Sequence, residues 1–183
     1  MRLITSSNQM KKDDSGRASL ALFGLANADR VSSSSELIRK AENYFSDLDI
    51  DLFVPGTEPQ SSNITELRFG KLTKWESKVL AHANVKIFYF DSHQKSPLIY
   101  TQLGTNVLKT IDNILCCNDR FDHKGQIEAF GKEYGMHMTY SLDDAYFEAA
   151  SRLHFYHNVK RAHKLGVKPV HIVAPVLLEP AFD

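Results

Sequence analysis

Two short apolar runs constrain this chain more than any other feature. Ser19-Leu-Ala-Leu-Phe-Gly24 and Val85-Lys-Ile-Phe-Tyr-Phe90 carry almost no alternation of polar and apolar residues. A strand with one wet face alternates, whereas a strand covered on both faces reads as a near-continuous apolar run. Both runs are bounded by polar, turn-rich stretches and followed by segments of helical spacing. After the first, Leu37, Ile38, Ala41, Tyr44 and Phe45 fall on one helical face. A helix start near Ser35-Glu36 is expected there, with any of Ser32 to Ser35 as its cap.

The same punctuation continues along the chain. Asp51-Leu-Phe-Val-Pro55 reads as a second strand, and 67–83 as a helix with Leu72, Trp75, Val79, Leu80 and Ala83 on one face. Strands are expected at 111–117 and 136–140, and helices at 98–108, 125–134 and 142–165. A short edge strand is expected within Met1–Thr5, and a last extended segment within 167–178, interrupted by Pro169 and Pro175. Strands alternating with helices imply right-handed crossovers and a parallel sheet covered on both sides. The expected fold class is therefore α/β, a flavodoxin- or Rossmann-like three-layer sandwich with a parallel sheet of about five strands. Ligands of such sheets bind beyond the carboxyl ends of the strands. Here those ends lead into 24–30, 55–60 and 91–96, all polar loops.

Composition removes several classes. The 183 residues suit one domain, large enough to bury a core without disulfide staples. Lys+Arg and Asp+Glu are both 22, so no overall charge draws the chain to nucleic acid or membrane. The basic stretch from His154 to His171 reads as a solvated helix face more than as a phosphate or nucleic-acid contact. Cys116 and Cys117 are adjacent and unsuited to bridging one another. They fit small strand residues in a reducing compartment, and no apolar run reaches membrane-spanning length. A cytoplasmic location is expected. His154, His157 and His163 lack a carboxylate or cysteine at ligand spacing, so no metal and no cofactor is expected. Glycine-rich phosphate loops and the nucleophile elbow of serine hydrolases are missing from the sequence.

Several residues are candidates for a site at the carboxyl edge. Gly24 either permits a tight turn or lets a ligand approach the backbone. Trp75 reads as packing a helix onto the sheet more than as stacking on a base. Glu76 is an exposed helix charge or a pocket carboxylate. Asp91 caps a turn or meets a ligand. Gln60 offers an amide to a base, and Arg120 either holds a phosphate or pairs with Asp119 or Asp122 at the surface.

Taken together, three blocks resemble the nucleoside 2-deoxyribosyltransferase-like family. They are Leu20-Ala-Leu-Phe-Gly24; Trp75-Glu76 ahead of Asn84-Val-Lys-Ile-Phe-Tyr-Phe-Asp91; and Ser96-Pro-Leu-Ile-Tyr-Thr-Gln-Leu-Gly104. A looser match joins Cys117-Asn-Asp-Arg-Phe121 and Lys124 to Tyr134-Gly135 and Ser141-Leu-Asp-Asp144. The resemblance spans about 19–153 as the family-like domain, with 1–18 as an N-terminal strand and loop and 154–183 as a helix end and extension. It implies cleavage or transfer at an N-glycosidic bond of a nucleoside or nucleotide, and an oligomer whose subunits complete one another's sites. It assigns the nucleophile to position 102, with Asp91, Asn84 and Glu76 orienting sugar or base, and Gly24, Asn27, Gln60, Ser96 and Arg120 around the ligand.

The chain departs from that pattern where the chemistry is concentrated. Position 102 carries Gln where the family has glutamate, and an amide neither attacks an anomeric carbon nor neutralises an oxocarbenium ion. Leu22 stands where the transferases have a tyrosine, Asn84 where some members have aspartate, and Ser96-Pro97 where a second carboxylate is expected. Gln102 is thus a substitution of a catalytic glutamate, a natural loss of it, or a sign that Asp91 or Glu76 does the work. The alternative function is a binding protein that holds a nucleotide, or a nucleotide-derived signal, without cutting it.

Overall fold

A computed structural model of the chain describes residues 1–5, 17–25, 31–55, 66–92, 98–107 and 112–164, with side chains left undescribed at 31–34, 66–73, 98 and 160–164. The elements alternate as the apolar runs imply. They are β1 (Arg2–Ile4), β2 (Ala18–Phe23), α1 (Val31–Tyr44), β3 (Ile50–Phe53), α2 (Glu66–His82) and β4 (Val85–Phe90). The second half comprises α3 (Leu98–Thr105), β5 (Asn113–Cys117), α4 (Lys124–Glu133), β6 (His137–Thr139) and α5 (Leu142–Lys164). All pairings are parallel, in the order β1-β3-β2-β4-β5-β6. Apart from the added edge strand β1, this is the flavodoxin order. The sheet has six strands rather than about five.

Alternation along each strand sends side chains to two separate layers. Leu20, Leu22, Leu52, Ile87, Ile114 and Cys116 face α1 and α5, which contribute Ala41, Ala145, Tyr146, Ala149 and Leu153. Ala21, Phe23, Phe53, Phe88, Phe90, Leu115 and Cys117 face the other way. They meet Trp75 and Val79 of α2, Ile99 and Leu103 of α3, and Ile127 of α4. Phe23 and Phe88 stack at 5.1 Å between centroids. Both cysteines are buried and free, one facing each layer.

Two boundaries differ from those the sequence implies. Helix α1 begins at Val31, so Ser32 to Ser35 lie inside its opening turns instead of ahead of them. Helix α3 ends at Thr105, short of the expected 108, where the side chains of Thr105 and Asn106 both fold back to the Gln102 carbonyl. The proposed extended segment at 167–178 lies outside the described residues, as does residue 111 of the expected fourth strand.

Candidate functional site

The chain leaves β2 for β3 on one side, then returns to β4 on the other. In sheets of this kind such a reversal marks a crevice between the carboxyl ends of the two strands, here β2 and β4, where ligands usually bind. Gly24 and Asp91 end these two strands, and Pro55 stands near the end of β3.

Gly24 has φ +89°, a conformation that L side chains rarely adopt. A Cβ there would run into the carbonyl oxygen of Tyr89 and lie 2.7 Å from Ile99 Cδ1. The close approach that requires glycine is therefore made by β4 and α3, within the protein. Leu25, immediately after it, is buried in the α1/α5 layer.

One helical turn beyond Ile99 lies Gln102. Its Nε2 donates to Glu76 Oε2 at 3.1 Å, joining α3 to α2 across 26 residues of sequence. Gln102 is 7% exposed and Glu76 6%. Burial pushes the Glu76 carboxyl above its usual range, while the Gln102 hydrogen bond pulls the other way. Glu76 is thus neither a surface charge nor an isolated one. Trp75, next to it, is buried among Phe53, Val79 and Phe88, which is the packing role expected of it.

Tyr89, not among the candidates above, and Asn118 of the looser match join the carboxyl edge. The Tyr89 hydroxyl is pushed up to about 12, first by burial and then by the Asp91 charge, against a hydrogen bond with the Asn118 side chain. Strand alternation is the signal that finds Tyr89, since it sits two residues from Asp91 on the same side of β4. Lys86, likewise not among those candidates, is fully buried near the amino end of β4.

Asn84 does not belong with these groups. It precedes β4 at the amino end of the sheet, away from Gly24 and Asp91. Its Oδ1 accepts from Ser19 N at 3.0 Å and Ser19 Oγ at 3.1 Å, tying β4 to β2. The structure gives it a place in joining the two strands, apart from the groups at the carboxyl edge. Arg120 is exposed beyond β5, its backbone N–H held by Asn118 Oδ1 at 2.9 Å. Asp119 pairs with Lys124 at 2.7 Å rather than with Arg120. Asn27, Gln60 and Ser96 lie outside the described residues.

A depression of about 250 Å³ opens at the opposite, amino end of the sheet. Asp47, Asp49, His154 and His157 surround it over a floor that includes Leu48, Ile50 and Leu153. Among the described residues no three His, Cys, Asp or Glu side chains are grouped to hold a metal. Nor is any described helix long and apolar enough to cross a membrane.

Fold and edge together define an open parallel α/β sandwich with a topological switch point between β2 and β4 and a buried carboxyl–amide pair joining α2 to α3. No family model and no curated protein matches the chain. Among solved structures it is similar to a conserved protein from Enterococcus faecalis V583, with a TM-score of 0.52 and 12% identity. The match covers 74% of this chain and 99% of that one, a likeness of fold.

Proposed function

We propose that this chain acts at the N-glycosidic bond of a nucleoside or nucleotide held over the β2–β4 crevice, with Glu76 supplying the carboxyl nearest position 102. The hydrogen bond from Gln102 to Glu76 carries this reading. It brings a carboxyl to the position where the resembled family keeps its nucleophile. Placing a carboxyl in an apolar layer is costly, and such groups concentrate at working sites.

Burial lets Glu76 keep its proton to higher pH than an exposed glutamate. A protonated carboxyl suits a general acid that delivers a proton to the departing base. The C–N bond then breaks with its electron pair leaving on the base, and water closes on the oxocarbenium-like carbon, its released proton returning to the Glu76 carboxylate by way of solvent. Gln102 forms no glycosyl-enzyme, so the reaction is hydrolysis through water rather than transfer through a covalent intermediate.

A second reading is favoured by the same contact. With position 102 an amide and its N–H₂ engaged by Glu76, the pocket holds its nucleotide intact. The two separate in one experiment. The native chain and its Gln102→Glu form are incubated with nucleosides, nucleotides and dinucleotides, and free base is followed by chromatography. Base release by the native chain, abolished by Glu76→Gln, supports hydrolysis through Glu76. Release by the Gln102→Glu form alone marks an N-glycosidic site disabled at one position. Intact ligand recovered bound from both selects the binding protein, and neither binding nor release discards both readings.

A further inference from the structure

Helix α3 has only eight residues, so half of its carbonyl groups lack a partner within the helix. Gln102 owns the first of these last four carbonyls and is itself 7% exposed. Its oxygen accepts from Thr105 Oγ1 at 2.9 Å and from Asn106 Nδ2 at 3.1 Å. Asn106 is itself buried, and its own carbonyl accepts from Asn113 Nδ2 at 2.9 Å. Asn113 begins β5 and is fully buried. Its carbonyl in turn accepts from Arg152 Nη1 of α5 at 3.3 Å, and Arg152 is paired with Glu148 at 2.7 Å.

These contacts form one continuous line. It runs from Glu76 on α2 through Gln102 and Asn106 of the α3 end, then Asn113 on β5, to Arg152 on α5. It passes from one helical layer through the plane of the sheet to the other. Ordinary capping would satisfy the carbonyls of α3 with water or with a neighbour of any kind. Here the bonds converge on the backbone of the residue whose side chain meets Glu76. A helix this short has little register of its own, so the position of its fifth residue depends on what grips its end.

We infer that Thr105, Asn106 and Asn113 are positioning residues, which act through the α3 backbone to hold the Gln102 amide against Glu76. This deepens the reading above and rests on it for its catalytic meaning. The contact itself is measurable without any ligand, so the two can fail separately.

The test is the titration of Glu76 in the full chain, followed by NMR with carboxyl-labelled glutamate and assigned by its loss in Glu76→Gln. Gln102→Leu removes the amide and shifts the Glu76 titration further upward, setting the full effect. The near-isosteric pair Thr105→Val/Asn106→Leu leaves Gln102 in place. It is expected to shift Glu76 in the same direction by a smaller amount, and Asn113→Ala by less again. A double variant with a lowered Tm but native Glu76 titration would overturn the inference, because a merely structural cap costs stability without moving that carboxyl. If the double variant does not fold, Thr105→Val alone and Asn113→Ala provide the same reading. An unchanged Glu76 titration in both also overturns the inference.

Discussion

The two helical layers of this sheet are built from different materials. The α1/α5 layer is apolar, closed by Phe45 against Tyr146 at 5.5 Å, with the Tyr146 hydroxyl turned to the Leu37 carbonyl at 3.4 Å. The α2/α3/α4 layer is the more aromatic, yet it encloses a carboxyl and an amide. Apolar packing alone is enough to cover a sheet face, as the first layer demonstrates. Polar groups kept in the second are retained against a desolvation cost, and local violations of that kind collect at functional sites. The contrast singles out the α2/α3/α4 layer as the one that holds a buried carboxyl–amide contact.

Gly24→Ala tests this contrast most severely. A methyl group there meets β4 backbone and α3 at once, and the backbone angle is unfavourable as well. The expected loss is about 3–4 kcal/mol by chemical denaturation. A loss below about 1 kcal/mol would show that α3 is not pressed onto this edge.

Gln102→Glu comes next. Two carboxyl groups in contact cannot both ionise cheaply, so the variant is expected to lose roughly 2–3 kcal/mol at pH 8. The deficit should shrink in acid as the pair takes up a shared proton. Equal stability at pH 8 and pH 5, relative to the native chain, would mean that the two side chains part in the variant.

Glu76→Gln is expected to go the other way, gaining on the order of 1 kcal/mol at neutral pH. The sign follows from linkage. A carboxyl whose folded pKa is raised binds its proton more tightly in the folded chain. Its contribution to stability is therefore most favourable below the unfolded value of 4.5 and declines as pH rises through the folded value. The gain should be full above that window and vanish below it. A gain independent of pH would assign the effect to packing.

The smallest effect belongs to the other layer. Tyr146→Phe deletes one long hydrogen bond, so a change within about 0.5 kcal/mol is expected. A loss above about 2 kcal/mol would make the first layer polar in its energetics and blunt the contrast.

Much of this organisation is legible in the residues themselves. Continuous apolar runs report burial on both faces, which is why β2, β4 and β5 and the parallel sheet follow from their composition. Gly24 announces a tight place but not what crowds it, because Tyr89 and Ile99 approach through the tertiary fold. Asn84 shows the opposite failure. Lying ahead of β4 by sequence, it sits at the far end of the strand from the crevice, and parallel topology alone could have removed it from the site. The Glu76–Gln102 contact is beyond local periodicity. Neither side chain interrupts its helix, and only the juxtaposition of α2 and α3 makes them partners. The lateral chain through Asn106 and Asn113 is hidden for the same reason.

Trp75 is the chain's single tryptophan, and it lies buried one residue from Glu76. All indole emission from the folded protein therefore originates in the α2/α3/α4 layer. An apolar surround sets that emission to the blue. The protein thus carries a built-in optical reporter on the layer that holds the buried carboxyl–amide pair, and none on the α1/α5 layer.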